Sequence, residues 1–174
     1  MSIVGRPQED EYAPYYADYV AEVGDRDVIA VLRAQLDDTS MLLGKMSGEQ
    51  AAHRYAPDKW SVKEVIGHIV DTERVFAFRA MSIARGETQP LPGMDQDPYV
   101  AAGRFDRRPL ASLQSELAHQ RRANLELFAG FDADAWRRTG VANDAAVSVR
   151  ALAFIMAGHE AHHVRVVRER YLTK

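Results

Sequence analysis

Hydrophobic side chains recur at helical spacing along four stretches of this chain, at residues 27–46, 62–85, 109–130 and 148–172. Residues that commonly start or end helices lie at the boundaries of these stretches. Gly86 follows the second stretch, Pro109 opens the third, and Ser148 stands at the N-cap of the fourth. Four helices of roughly 20 residues each would form a bundle about 30 Å long. The pattern therefore predicts an all-α four-helix bundle.

The connection between the second and third stretches is long. Residues 86–108 contain three prolines and the acidic pair Asp95 and Asp97. A connection of this length favours a crossover between helices or a cover over an active site. No alternation of hydrophobic and polar residues is long enough to predict a strand. The chain has no internal repeat and no change in composition that would mark a domain boundary. We expect one domain over residues 1–174.

Composition narrows the functional classes. Hydrophobic residues make up 47% of the chain and the net charge is −3, which argues against disorder and against a basic nucleic-acid surface. The absence of cysteine excludes disulfides, thiolate ligands and a cysteine nucleophile. Residues 1–11 lack a signal-peptide pattern, and no apolar run suggests a membrane helix. We therefore expect a cytoplasmic protein without membrane or nucleic-acid partners.

The fourth stretch contains two histidines at the spacing of one helical turn. His159 and His163 share a helix face with apolar residues such as Ile155 and Met156. Two neutral imidazoles side by side in apolar surroundings need a partner for their ring nitrogens. A divalent transition metal fits both the geometry and the chemistry of these nitrogens.

A third candidate ligand lies on the second predicted helix. Ser61 and Glu64 have capping-box spacing, and His68 follows about two turns into the helix they open. One histidine from one helix and two from another would fix three nitrogens and leave coordination positions open for water or substrate.

Other readings of the histidine-rich segment remain open at this point. His162 could pair with His159, although it points about 100° away from His163. His159, Glu160 and His163 also form an HExxH sequence, which in zinc peptidases includes a glutamate base. No suitable third ligand follows downstream, so His68 in a bundle fits better.

Several further residues could belong to the same site. Asp71 could hydrogen-bond a metal-bound water or pair with Arg74 or Lys63. The aromatic segment near the N-terminus offers Tyr12, Tyr15 and Tyr16 as pocket walls or binding groups, and residues 91–99 could form another wall. The alternatives are that the tyrosines only pack against apolar neighbours and that Asp95 and Asp97 only cap the loop.

Four segments in order carry a family resemblance: E-Y-A-P-Y-Y at 11–16, W-S-V-K-E-V-I-G-H-I-V-D-T-E-R at 60–74, L-P-G-M-D-Q-D at 91–97 and G-H-E-A-H-H-V at 158–164. Together they resemble the DinB/YfiT-like superfamily over nearly the whole chain. The resemblance implies a four-helix bundle, often dimeric, with a metal at one end. It also implies the ligand set His68, His159 and His163, and all three residues are present.

The resemblance implies two kinds of function. Relatives include thiol-dependent transferases and isomerases, and others are described as metal-dependent hydrolases. We therefore expect a metal-dependent transferase or hydrolase acting on a small molecule, with water or a low-molecular-weight thiol as nucleophile, and a homodimer. The alternative is a non-catalytic metal-binding module or stress-linked sensor. Zinc or nickel suits three imidazoles best, and iron, cobalt and manganese are compatible.

Overall fold

A computed structural model describes residues 4–172, so the ends of the expected 1–174 domain lie outside the described residues. All four predicted helices are present. In chain order, the elements are α1 Ala17–Val23, α2 Val28–Gly44, α3 Gly48–Ala52, α4 Val62–Ala84, α5 Gln96–Gly103, α6 Leu110–Ala129, α7 Ala133–Arg137, β1 Thr139–Ala142, β2 Ala145–Ser148 and α8 Val149–Val166. Short 3₁₀ turns precede α1 and α6, and a π-helical turn, Val167–Tyr171, follows α8.

The long helices begin where short polar side chains cap them. Asp27 accepts a hydrogen bond from the Ile29 N–H at the start of α2. Ser61 forms the predicted capping box with Glu64, and Ser148 accepts from the Ala151 N–H at the start of α8. These caps satisfy backbone N–H groups that the first helical turn leaves without a partner, so they fix where each helix starts.

The directions of the helices explain the long second connection. Helix α4 packs against α6 and α8, and α2 packs against the same two helices. The Gln120 side chain on α6 donates to the Val70 carbonyl, and Asn124 donates to Glu73, so contacts advance together along α4 and α6. The two helices are therefore parallel, and residues 86–108 form the predicted crossover.

The structure corrects one prediction. Strands β1 and β2 form an antiparallel hairpin, with Thr139 opposite Ser148 and Ala142 opposite Ala145. Asn143 and Asp144 turn the chain at φ values of 53° and 60°. Such left-handed positions suit asparagine and aspartate and match the twist of a two-residue hairpin. Four-residue strands are too short to show a clear alternating pattern.

Two apolar clusters fill the bundle around the histidines. One contains Phe76, Phe128 and Phe154, and the other contains Ile66 and Leu113. Along α8, His159 and His163 lie between these clusters, and on α4 His68 lies within the second cluster, so apolar packing on both sides holds their backbone in place. Within residues 4–172, no helix is both long and apolar enough to cross a membrane.

Candidate metal centre

Three imidazoles converge between α4 and α8. The Nε2 atom of His159 lies 2.9 Å from Nε2 of His68 and 3.1 Å from Nε2 of His163. One nitrogen from each ring lies within 4.8 Å of the other two. His68 and His159 are buried and His163 is half-buried. The structure thus brings together all three histidines that the sequence singled out.

This donor set fits a metal ion better than it fits a hydrogen-bond network. In a tetrahedral site with metal–nitrogen bonds of about 2.0–2.1 Å, two ligand nitrogens are about 3.3 Å apart. The observed separations at His159 are close to that value. Without a metal, a single Nε2 of His159 faces two nitrogens, and it can offer either one proton or one lone pair. One neutral imidazole cannot satisfy both neighbours fully.

Burial keeps the three imidazoles neutral. It lowers the pKa of His68 to about 4. Burial and then the neighbouring imidazoles lower the pKa of His163 to about 3, and the same causes hold the pKa of His159 well below its ordinary value. Three neutral imidazoles near pH 7 are ready to donate lone pairs to a metal.

The rings of the cluster are held by specific neighbours. Thr72 Oγ1 lies 3.3 Å from Nδ1 of His68. Because Nε2 of His68 faces the cluster, we assign the ring proton to Nδ1, which then donates to Thr72. The Trp60 ring lies 5.0 Å from the His68 ring, and Tyr19 and Phe76 meet the His159 ring edge-on at 5.5 and 6.0 Å. These contacts restrict ring rotation.

Gly158 explains how Tyr19 comes to lie beside His159. Helix α1 packs closely on α8, and a Cβ atom at Gly158 would lie 2.0 Å from the Tyr19 carbonyl oxygen. Only glycine permits this approach of two backbones. The glycine that begins the G-H-E-A-H-H segment therefore positions an aromatic neighbour of the next residue.

A pocket opens beside the cluster. Its volume is about 260 Å³, and its lining includes His68, His159 and Thr72 from the bundle and Met94, Asp95 and Gln96 from the crossover. The crossover thus forms one wall, as the sequence predicted for residues 91–99. Asp95 also caps α5, because its carboxylate accepts a hydrogen bond from the Asp97 N–H.

The tyrosines divide into two groups. Tyr15 and Tyr16 line the pocket, and so does Tyr19, which the sequence analysis did not choose. Tyr12 does not line this pocket. It is buried in the larger apolar cluster, because the 3₁₀ turns before α1 direct it inward. Burial raises the pKa of Tyr19 to about 12 and also raises that of Tyr16, so both phenols stay protonated and can donate hydrogen bonds.

Asp71 lies away from the pocket. Its carboxylate pairs with Arg74, with Oδ1 at 3.3 Å from Nη1, and it is not among the residues that line the cavity. Of the two alternatives for Asp71, the structure shows the ion pair with Arg74, and a hydrogen bond from this carboxylate to a metal-bound water stays a prediction. The ion pair follows from helical phase: Thr72, four residues after His68, faces the histidines, whereas Asp71 faces α6, where Glu116 binds the same arginine.

Glu160 points away from the histidines into a buried ionic network. Arg121, 1% exposed, contacts Glu73 at 2.7 Å and Glu160 at 2.5 Å. Thr39 donates to the other Glu160 oxygen at 2.6 Å. The glutamate of the HExxH sequence thus links α8 to α2 and α6, and it is not placed to act as a peptidase base. His162 is half-buried and lies against Tyr19.

Arg79 is a pocket residue that is not among the sequence-based predictions. This residue is 5% exposed and lines the pocket. The signal was present, because His68, Thr72 and Arg79 follow one another at helical spacing on a single stripe of α4. An arginine on the helix face of a candidate metal ligand predicts either an ion pair or a binding site.

Comparisons with known proteins agree with this architecture. The YfiT protein of Bacillus subtilis, described as "a probable metal-dependent hydrolase with an unusual four-helix bundle topology", superposes with a TM-score of 0.74 over 94% of this chain and 89% of its own, at 15% identity. That likeness concerns the fold. No curated protein matches the sequence. The sequence profile of the DinB superfamily matches residues 31–167, and the chain belongs to that superfamily.

Proposed function

We propose that this protein is a metal-dependent enzyme that acts on a small molecule, with His68, His159 and His163 as the ligands of a divalent transition metal. One observation carries the proposal: one nitrogen from each of three imidazoles lies within 4.8 Å of the other two, and His68 and His159 of this cluster line an open cavity of about 260 Å³. A purely structural metal site would be closed by a fourth protein ligand. Within residues 4–172, no further histidine, aspartate or glutamate joins the cluster.

The metal, when bound, would lower the pKa of a coordinated water or thiol and polarise a substrate oxygen. The chain supplies orientation and hydrogen bonds. Thr72 holds the His68 ring, and Tyr19 and Phe76 hold the His159 ring. Tyr16 and Tyr19 remain protonated and can donate hydrogen bonds to oxygen atoms of a bound molecule.

Two reactions are compatible with this site. With water as nucleophile the enzyme would be a hydrolase, and with an external low-molecular-weight thiol it would be a transferase or isomerase. The chain has no cysteine, so a thiol must come from outside. The description of YfiT as "a probable metal-dependent hydrolase" supports the first reaction.

Activity measurements on the metal-loaded protein test the proposal. Esters and amides would be screened for hydrolysis, and electrophiles would be screened with glutathione, cysteine and other small thiols. We expect turnover that disappears on chelation and returns with one of zinc, nickel, iron, cobalt or manganese. The His163→Gln variant should lose turnover, and the His119→Gln variant, which changes an exposed histidine, should retain it.

The competing proposal is a non-catalytic metal-binding module or sensor. It predicts tight metal binding without turnover in either screen, together with a gain in thermal stability when metal is added. A homodimer remains part of the proposal, and light scattering that gives the mass of a single chain at micromolar concentration would contradict it.

A further inference from the structure

Within the part of the chain that the structure describes, one buried cation in the wall of the pocket has no negatively charged partner. Arg79 belongs to the same stripe of α4 as His68, eleven residues further on, or about 16 Å along the helix axis. Helical side chains lean toward the N-terminus of their helix, so the Arg79 side chain leans toward the histidines. Arg79, His68 and His159 line one and the same cavity.

The protein groups that accept hydrogen bonds from Arg79 are neutral. Its Nη2 donates to the Pro92 carbonyl at 2.6 Å, and its guanidinium also donates to the Tyr16 hydroxyl. Among residues 4–172, no carboxylate oxygen forms an ion pair with it. Asp95 lines the same pocket, but this carboxylate is exposed and caps α5. A guanidinium has five N–H donors, so some remain for a ligand.

Arg121 is a buried arginine whose charge is neutralised by carboxylates of the same chain. It is held by the two carboxylates of Glu73 and Glu160. Burial alone would lower the pKa of Arg121, and the carboxylates raise it. Burial lowers the pKa of Arg79, and the neutral Tyr16, in place of a carboxylate, opposes that effect. A buried charge without a partner of opposite charge raises the free energy of the folded protein. Because Arg79 lies in a pocket wall, an anion that enters the pocket can supply that partner.

We propose that Arg79 is the binding residue for a carboxylate group carried by the small molecule that occupies this pocket. This proposal rests on the proposed function, because it places the reacting end of the molecule at the three histidines. A carboxylate fits for two reasons. Its two oxygens match the planar guanidinium fork, and its single charge matches a single arginine. Tyr16 accepts from Arg79, so its own hydroxyl proton can be donated to the same carboxylate.

Direct binding measurements test the assignment without requiring turnover. Propionate, butyrate and benzoate would be titrated into the full-length protein by calorimetry, with the matching amides as neutral probes. We expect the carboxylates to bind and the amides not to bind. The Arg79→Gln variant should bind carboxylates at least tenfold more weakly, and the Arg79→Lys variant should lie in between.

A neighbouring arginine provides the matched control. Arg74 lies on the exposed side of α4, paired with Glu116, and does not line the pocket. The Arg74→Gln variant should therefore bind carboxylates like the wild-type protein. If Arg79→Gln proves unstable, the NMR signal of the Arg79 Nε–H in the wild-type protein should shift on titration. An unmoved signal, or no carboxylate binding at all, would overturn the proposal.

The histidines separate this proposal from the proposed function. If carboxylate binding is lost in His163→Gln and unchanged in Arg79→Gln, the carboxylate is bound at the metal and the assignment to Arg79 is wrong. If metal analysis finds no metal but Arg79→Gln still weakens carboxylate binding, the proposed function fails and the anion site stands. Activity assays with electrophiles and thiols, each with and without a carboxylate, then show which of the two reactants binds at Arg79. Arg79→Gln should raise KM only for the reactant whose carboxylate binds there.

Discussion

The backbone of Tyr19 lies so close to Gly158 that a single methyl group between them would be 2.0 Å from the Tyr19 carbonyl oxygen. This contact joins the N-terminal helix α1 to the helix that carries two of the three clustered histidines. It also sets the edge-on contact between the Tyr19 and His159 rings. The geometry of the cluster thus depends on a residue that has no side chain.

The first prediction concerns this contact. Gly158→Ala should destabilise the protein by about 1–3 kcal/mol, because overpacking outweighs the gain of up to about 1 kcal/mol in helix propensity. Thermal unfolding measures the effect. Gly48→Ala is the matched control, because nothing lies within 4 Å of a Cβ atom at Gly48. Equal melting temperatures for Gly158→Ala and the wild-type protein would contradict the close approach.

The buried ionic network should contribute strongly to stability. Arg121→Met leaves the carboxylates of Glu73 and Glu160 buried without their cation, which should cost about 3–5 kcal/mol in urea unfolding. Arg122→Met changes the exposed neighbour and should alter stability by less than about 0.5 kcal/mol. Similar losses for the two variants would show that Arg121 is not the centre of the network.

Thr72 should affect metal affinity through the His68 ring. Thr72→Val keeps the shape of the side chain but removes the hydroxyl that faces Nδ1 of His68, so metal affinity should fall about 10–100-fold. Competition with a coloured chelator measures the change. Thr72→Ser retains a hydroxyl and should recover most of the affinity. If Thr72→Val binds metal as tightly as the wild-type protein, the hydrogen bond does not orient the ring.

The pH dependence of stability follows from the histidine pKa values. Burial lowers the folded-state pKa of His68 from 6.5 to about 4. The unfolded chain therefore takes up protons first, and stability that is present above pH 6.5 is lost as the pH falls toward 4. In the metal-free protein, His68 alone should account for up to about 3 kcal/mol of this loss.

Urea unfolding of chelator-treated protein between pH 7 and pH 4 measures this effect. The His68→Gln variant should show a shallower loss of stability with falling pH, because it removes one of the groups that titrate. The exposed His119→Gln variant should follow the wild-type curve. A His68→Gln curve parallel to the wild-type curve would contradict the lowered pKa.

Much of the fold and of the cluster was predictable because both depend on local patterns. Caps such as Ser61 and Ser148 mark helix starts directly, and the spacing of His159 and His163 fixes a shared face. The hairpin was missed because strands of four residues give little periodic signal, and its Asn143–Asp144 turn is not the more diagnostic Asn-Gly pair.

The remaining site residues depend on tertiary packing. The inward position of Tyr12 depends on how the segment before α1 packs on the larger apolar cluster, which no local pattern specifies. The partner of Asp71 follows from the packing of α6 on α4, which brings Glu116 to Arg74. Arg79 could have been found, because it shares the stripe of His68, but its lack of a carboxylate partner becomes visible only in three dimensions.

Metal stoichiometry tests the central claim most directly. Purified, metal-stripped protein would be titrated with zinc and with nickel, and the bound metal would be counted by elemental analysis. We predict about one tightly bound ion per chain for the wild-type protein. His68→Ala, His159→Ala and His163→Ala should each abolish stoichiometric binding, and His162→Ala should weaken it at most several-fold. Loss of the metal in His162→Ala with retention in His163→Ala, or no binding by the wild-type protein, would contradict the three-histidine site.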